Sequence, residues 1–127
     1  MKRLMFLGDI VGRNARQTVI AKAADLKASQ NCDFLVVNCE NAAGGFGVTP
    51  SICDDLFGAG IDVLTTGNHV WDKRDGLVCL EQEPALLRPA NYPAEAPGHG
   101  FGEVYIHFFK GRTLVHFLFF LRILPPY

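Results

Sequence analysis

Five polar residues stand where chemistry is possible: Asp9, Glu40, Asn41, Asn68 and His69. Each comes shortly after a brief apolar run, over residues 4–7, 34–37 and 61–64 respectively. Two carboxylates, two amide oxygens and one imidazole form a ligand set suited to hard or borderline divalent metals. Taken singly, every piece has a plainer explanation. Asp9 can close a turn or cap the next helix. Glu40-Asn41 can be a solvated loop, and Asn68 can serve a turn because asparagine tolerates a left-handed backbone. The glycines at 44, 45 and 47 can cradle phosphate, but glycine clusters more often serve turn geometry. What sets the three polar groups apart together is their shared placement after successive apolar runs.

That placement requires particular elements to hold it. Residues 4–7 read as a strand closed by Gly8-Asp9. Residues 15–30 carry Val19, Ile20, Ala23 and Leu26 at helical spacing. A second strand over 34–37 leads into the glycine-rich loop. Thr49-Pro50 then opens a short helix as N-cap and first-turn proline, which Gly58 and Gly60 close. A third strand over 61–64 precedes a helix over 75–81. Alternating strands and helices, with strands apolar on both sides, predict a parallel sheet flanked by helices. In such sheets the strand ends emerge along one edge, and sites form beyond their carboxyl ends. After Pro93 the pattern changes: residues 104–109 and 113–123 are aromatic and branched, and Lys110-Gly111-Arg112 between them predicts a β-hairpin.

Composition narrows the function classes. The 127 residues fit one domain, 1–127, with one core. Twelve Lys and Arg against 13 Asp and Glu leave a formal charge of −1, without the basic excess expected of a protein that grips duplex nucleic acid. Cys32, Cys39, Cys53 and Cys79 form no C-x-x-C pair, which points to a reducing, cytoplasmic compartment. Gly8-Asp9 interrupts the first apolar run well short of a signal-peptide core, and Lys110, Arg112 and Arg122 divide the last one too finely for a membrane span. A dinucleotide-binding domain is disfavoured because the first strand leads into Gly-Asp-Ile-Val-Gly rather than G-x-G-x-x-G.

Four blocks carry a more specific signal: Gly8-Asp9-Ile10-Val11-Gly12, Glu40-Asn41-Ala42-Ala43-Gly44-Gly45, Gly67-Asn68-His69-Val70-Trp71-Asp72 and Arg88-Pro89-Ala90-Asn91-Tyr92-Pro93. In this order they resemble the signature of YmdB-type calcineurin-like metallophosphoesterases. The Asn-His pair belongs to the wider superfamily, whereas Glu-Asn is the narrower mark. The resemblance implies an α/β fold equal to half of a four-layer metallophosphoesterase sandwich, and a phosphodiesterase acting on small phosphodiesters such as 2',3'-cyclic nucleotides. It implies two metal ions, iron or manganese before zinc or magnesium. Asp9 would bind the first metal, Glu40 bridge both, Asn41 support the first and Asn68 bind the second, while His69 would act as proton donor. A hydroxide held between two cations would be the nucleophile.

The departure from that pattern is equally specific. Relatives of this type run about twice the length and bring three further metal-binding histidines, two in a His-x-His pair, in their second half. Here the other histidines are His99, His107 and His116, and no such pair occurs. His107 and His116 sit in aromatic strands and read as packed histidines rather than ligands. The expectation is a truncated N-terminal half whose metal site needs a C-terminal half or a second copy of the chain. The alternative is a catalytically silent fragment. Either way, the aromatic hairpin is expected to expose apolar surface and to promote association.

Overall fold

A computed structural model describes residues 2–108 and 111–118, with the backbone alone for 103–108 and 111–118. Four strands, β1 (Leu4–Leu7), β2 (Phe34–Asn38), β3 (Val63–Thr65) and β4 (Leu86–Leu87), form one parallel sheet in the order β1-β2-β3-β4. Three helices connect them: α1 (Gly12–Ser29), α2 (Pro50–Gly58) and α3 (Gly76–Gln82). Strands β5 (Phe101–Phe108) and β6 (Gly111–Leu118) make a separate antiparallel pair.

The alternation read from sequence is therefore present, with shifted ends and one added strand. Helix α1 begins at Gly12, three residues before the predicted start, because Gly12 takes φ +68° and turns the chain directly from strand into helix. Strand β3 starts two residues later than expected: Ile61 and Asp62 follow the turn at Ala59-Gly60 and lead into the strand, with the Asp62 N–H already bonded to the Leu35 carbonyl at 2.9 Å. Strand β4 has no counterpart in the sequence pattern. Two residues are too short to show any periodicity, and only the ladder bonds to β3 define it. The hairpin starts at Phe101, earlier than predicted, and Gly111 and Arg112 pair within β6 rather than forming its turn. The expectations for residues 109, 110 and 119–123, and for the packing of the His107 and His116 side chains, lie outside the described residues, as does the exposure of the hairpin's side chains.

The expected parallel sheet flanked by helices is what the chain forms, and all three helices lie against the same face. Leu35, Val37, Leu64 and Leu86 point into the main core against Ala23 of α1, Ile52, Cys53 and Leu56 of α2 and Leu80 of α3. Consecutive strands in sequential order, joined by crossovers of one hand, bring each connecting helix to the same side. On the opposite face Val36, Val63 and Leu87 form a second cluster, which Gly102 at the start of β5 reaches through Leu87. At the outer strand β1, Leu4 and Phe6 are 49% and 44% exposed.

Specific polar contacts fix the helices to the sheet. The Asp62 carboxylate accepts the Leu35 N–H at 2.7 Å and the Lys27 ammonium at 2.7 Å, tying the last turns of α1 to β2 and to the entry of β3. Thr49 occupies the N-cap of α2 with Pro50 after it, as predicted, although its hydroxyl makes no capping bond and faces Ser51 instead. Among the described residues, no helix is long and apolar enough to cross a membrane.

All four cysteines are free, and Cys39 and Cys53 lie fully inside the core. Burial pushes both thiols well above the usual range, because a thiolate there would lose its hydration. Burial also raises Cys79, whose exposure is greater. A thiol reagent at mildly alkaline pH is expected to modify Cys32 first, Cys79 more slowly, and Cys39 and Cys53 only after denaturant is added. Adduct mapping by mass spectrometry checks this, and rapid modification of Cys39 in the folded chain would contradict the packing.

Candidate metal centre

The parallel ladder continues past the ends of its strands, and this continuation positions the polar residues. The Ile10 N–H donates to the Asn38 carbonyl at 3.1 Å and the Gly12 N–H to the Asn41 carbonyl at 3.0 Å, holding the segment after β1 beside the segment after β2. The Cys39 N–H donates to the Thr65 carbonyl at 2.8 Å, and the Thr66 N–H to the Leu87 carbonyl at 2.9 Å. Asp9, Glu40, Asn41, Asn68 and His69 all follow from these junctions along the carboxyl edge of the sheet.

One side-chain bond and one close approach link members of the group. The Asn41 side-chain amide donates to Asp9 Oδ2 at 2.7 Å, so the Asn41 oxygen is turned away from that bond. The Glu40 carboxylate lies against the backbone of Gly67, one residue before Asn68. A Cβ added at Gly67 would stand 2.6 Å from Glu40 Oε1 and closer still to Oε2. Only a residue without a side chain permits this approach between the ends of β2 and β3. The glycines at 44, 45 and 47 have φ of +74°, +99° and +70°, which establishes their role in turn geometry. That loop carries Phe46 to the His69 ring, edge to face, with centroids 5.2 Å apart.

Two oxygens in this group are conspicuous. Glu40 Oε2 and Asn41 Oδ1 are both buried, and neither has a hydrogen-bond partner among the described residues. Both are acceptors. A buried acceptor without a donor costs about 1–3 kcal/mol, more when it is charged, so each of these oxygens favours a donor or a cation beside it. The residues present thus fit a metal ion on the chemistry of their donor atoms. Among the described residues, no three His, Cys, Asp or Glu side chains assemble into a ligand group.

His69 stands apart from these oxygens in its bonding. Its Nδ1 lies 2.7 Å from Asp72 Oδ2, in an i,i+3 pair, with the two side chains 30% and 41% exposed. A carboxylate accepts, so Nδ1 carries the hydrogen and Nε2 is left for other work. Asp72 is absent from the candidates read from sequence, where the spacing His-x-x-Asp is the available signal. Further along the edge, Trp71 packs edge-on against Tyr92, with centroids 4.4 Å apart, and so joins the loop after β3 to the loop after β4.

Comparison with known proteins bears on the family and the fold. A family described as YmdB-like protein matches residues 5–118. The 2',3'-cyclic-nucleotide 2'-phosphodiesterase of Bacillus subtilis (strain 168) is 41% identical over 98 residues, covering 77% of this chain and 37% of the relative. A crystal structure of a Thermus thermophilus protein described as hypothetical superposes with a TM-score of 0.75 at 32% identity, covering 88% of this chain and 42% of that one. A phosphatase structure from Mycoplasma pneumoniae gives a TM-score of 0.74 at 28% identity, with 92% and 42% covered. The chain thus spans about two fifths of the length of these relatives.

The Gly67 contact makes a direct test of the assembled edge. Gly67→Ala is expected to displace the Glu40 carboxylate and reduce uptake of manganese or iron, while far-UV circular dichroism stays near that of the parent. Unchanged metal uptake in a folded Gly67→Ala chain would show that Glu40 does not depend on this approach.

Proposed function

This chain belongs to the YmdB-like family, and on that premise we propose that it carries the N-terminal ligands of a dinuclear metal centre that hydrolyses small phosphodiesters. The observation that carries the reading is the pair of buried, unpartnered oxygens, Glu40 Oε2 and Asn41 Oδ1, beside Asp9. Asp9 and Asn41 would hold one ion, Asn68 the other, and Glu40 both. Iron or manganese suits these oxygen ligands with histidines from elsewhere, and zinc or magnesium is chemically compatible. When bound, such cations supply a nucleophile from water near neutral pH and offset charge on the phosphoryl oxygens.

The chain's own residues set up the rest of the reaction. The bond from Asn41 to Asp9 fixes the amide so that its oxygen, not its nitrogen, faces the site. The bare backbone of Gly67 leaves room for the Glu40 carboxylate. Asp72 holds His69 with Nδ1 as donor, which leaves Nε2 free; as the imidazolium, the ring would hand the Nε2 proton to the departing ester oxygen as the P–O bond breaks and return to the neutral form with Nδ1–H still on Asp72. By analogy with the Bacillus relative, 2',3'-cyclic nucleotides are the proposed substrate class, with one ribose oxygen leaving as an alcohol. Four free cysteines suit a reducing, cytoplasmic setting.

Metal analysis tests the ligand roles. This chain is expected to retain metal less firmly through dialysis than the longer Bacillus relative, since incompletely coordinated ions are more hydrated and more easily lost. Glu40→Ala should lower the uptake of both ions together, and loss of only one would give Glu40 a terminal role.

The proton-donor role of His69 is tested by changing the leaving group. His69→Ala should slow cyclic-nucleotide hydrolysis by about a hundredfold to ten-thousandfold, the usual contribution of a positioned acid. A nitrophenyl phosphodiester should be affected far less, because nitrophenolate leaves without a proton, and metal content should be nearly unchanged. Equal losses on both substrates, or loss of metal, would make His69 a structural residue or a ligand. A chain that binds metal yet hydrolyses neither substrate would be a catalytically silent member of the family.

A further inference from the structure

The carboxyl edge does not end with β3. Thr65 pairs with Leu87 in β4, so Arg88 takes the next position in register, beside Thr66 and close to Gly67-Asn68. Adjacent strands lie about 4.8 Å apart, so the row of Asp9, Glu40 and Asn68 continues into a fourth member that carries a positive charge.

Arg88 is only 5% exposed. Its Nη1 donates to the Pro89 carbonyl at 3.1 Å and its Nη2 to the Pro93 carbonyl at 3.2 Å. Its Nε is buried without a partner, and among the described residues no carboxylate pairs with it. Among the described residues, two of the five guanidinium N–H groups are used, both on neutral acceptors. Removing a cation from water is costly unless charge or hydrogen bonds compensate, and two carbonyl dipoles compensate only in part.

Beside this side chain lies a cavity of about 450 Å³, lined by Arg88, Tyr92, Ala94, His99, Gly100 and Phe101 among others. Its walls are held from both sides. The Arg88 N–H donates to the His99 carbonyl at 2.8 Å, drawing the loop before β5 alongside the end of β4, and Trp71 braces Tyr92 from the loop that bears His69. The cavity thus combines a buried, incompletely satisfied guanidinium with an aromatic and an imidazole side chain on fixed loops.

We propose that this cavity is an oxyanion-binding pocket, in which the Arg88 guanidinium receives a phosphate group. A planar guanidinium with free N–H groups matches two oxygens of a phosphate, and the bond is charge-assisted on both sides. The pocket goes beyond the proposed metal chemistry and is independent of it, since Asp9, Glu40, Asn41 and Asn68 take no part. The same chemistry serves free inorganic phosphate or the phosphate of a nucleotide, and the two sources separate in solution.

The test uses this chain stripped of metal with chelator, so that no ion at the metal centre can hold the anion. Inorganic phosphate and adenosine 3'-monophosphate are titrated separately at constant chloride, with calorimetry for affinity and the Arg88 side-chain N–H resonance for location. Phosphate is expected to bind and to shift that resonance. Arg88→Gln should weaken binding about tenfold to a hundredfold, the usual worth of hydrogen bonds to a charged group. Ala94→Glu leaves Arg88 in place, changes an exposed residue of the pocket wall, and should weaken phosphate binding through repulsion, which decides the matter even if Arg88→Gln fails to fold. Tighter binding of the nucleotide identifies a nucleotide pocket, and equal affinity identifies a site for the free anion. No binding, or binding untouched by both substitutions, overturns the proposal, whatever the outcome of the metal and leaving-group experiments.

Discussion

Everything at the working edge of this protein depends on the parallel ladder running beyond the residues that count as strand. Four hydrogen bonds, Ile10 to Asn38, Gly12 to Asn41, Cys39 to Thr65 and Thr66 to Leu87, hold the segments that leave β1, β2 and β3 in fixed register. Backbone groups at a buried sheet edge must be paired, and pairing them with one another stiffens the loops from which the functional side chains project. Glu40 and Asn68 therefore stand in turns that begin one or two residues past the last cross-strand bonds, and Asp9 immediately precedes Ile10, which makes one.

That edge is only as firm as the layer beneath it. Leu35, Leu64, Leu80 and Leu86 are each about 1% exposed or less, and burying a leucine of this kind stabilises the fold by roughly 1.5–3 kcal/mol. The helices supply this layer from one side. Asp62 links the opposite end of the sheet, where one carboxylate serves both the Leu35 N–H and the Lys27 ammonium. Packing thus concentrates on the helical face, and the polar junctions fix how the strands slide along it.

Against that background the unsatisfied atoms acquire meaning. Among the described residues, the buried side-chain atoms without partners are Glu40 Oε2, Asn41 Oδ1, Thr65 Oγ1, Trp71 Nε1 and Arg88 Nε, and all five belong to residues at or after the carboxyl ends of β2, β3 and β4. Glu40 and Asn41 offer acceptors, Arg88 offers a donor. Acceptors thus stand at the end of β2 and a donor at the end of β4, which is the contrast the two proposals rest on.

The sequence by itself determined the order of the first three strands and their helices, and which polar residues follow those strands. Apolar runs of four or five residues, each followed by Asp9, Glu40-Asn41 or Asn68-His69, suffice for this, because a parallel sheet has one carboxyl edge. Thr49-Pro50 located the start of α2 because proline and cap preferences act locally. Other features arose only from the tertiary structure. Strand β4 exists through its bonds to β3, and two residues have no period to read. The one-sided placement of the helices follows from strand order, which local pattern does not encode. Asp72 orients His69 through a turn, and Arg88 is buried by a loop that returns from His99. For β4, the helix face and Arg88 the deciding interaction is a through-space contact whose partners the chain brings together only on folding, whereas His69 and Asp72 are three residues apart and their spacing is a weak local signal.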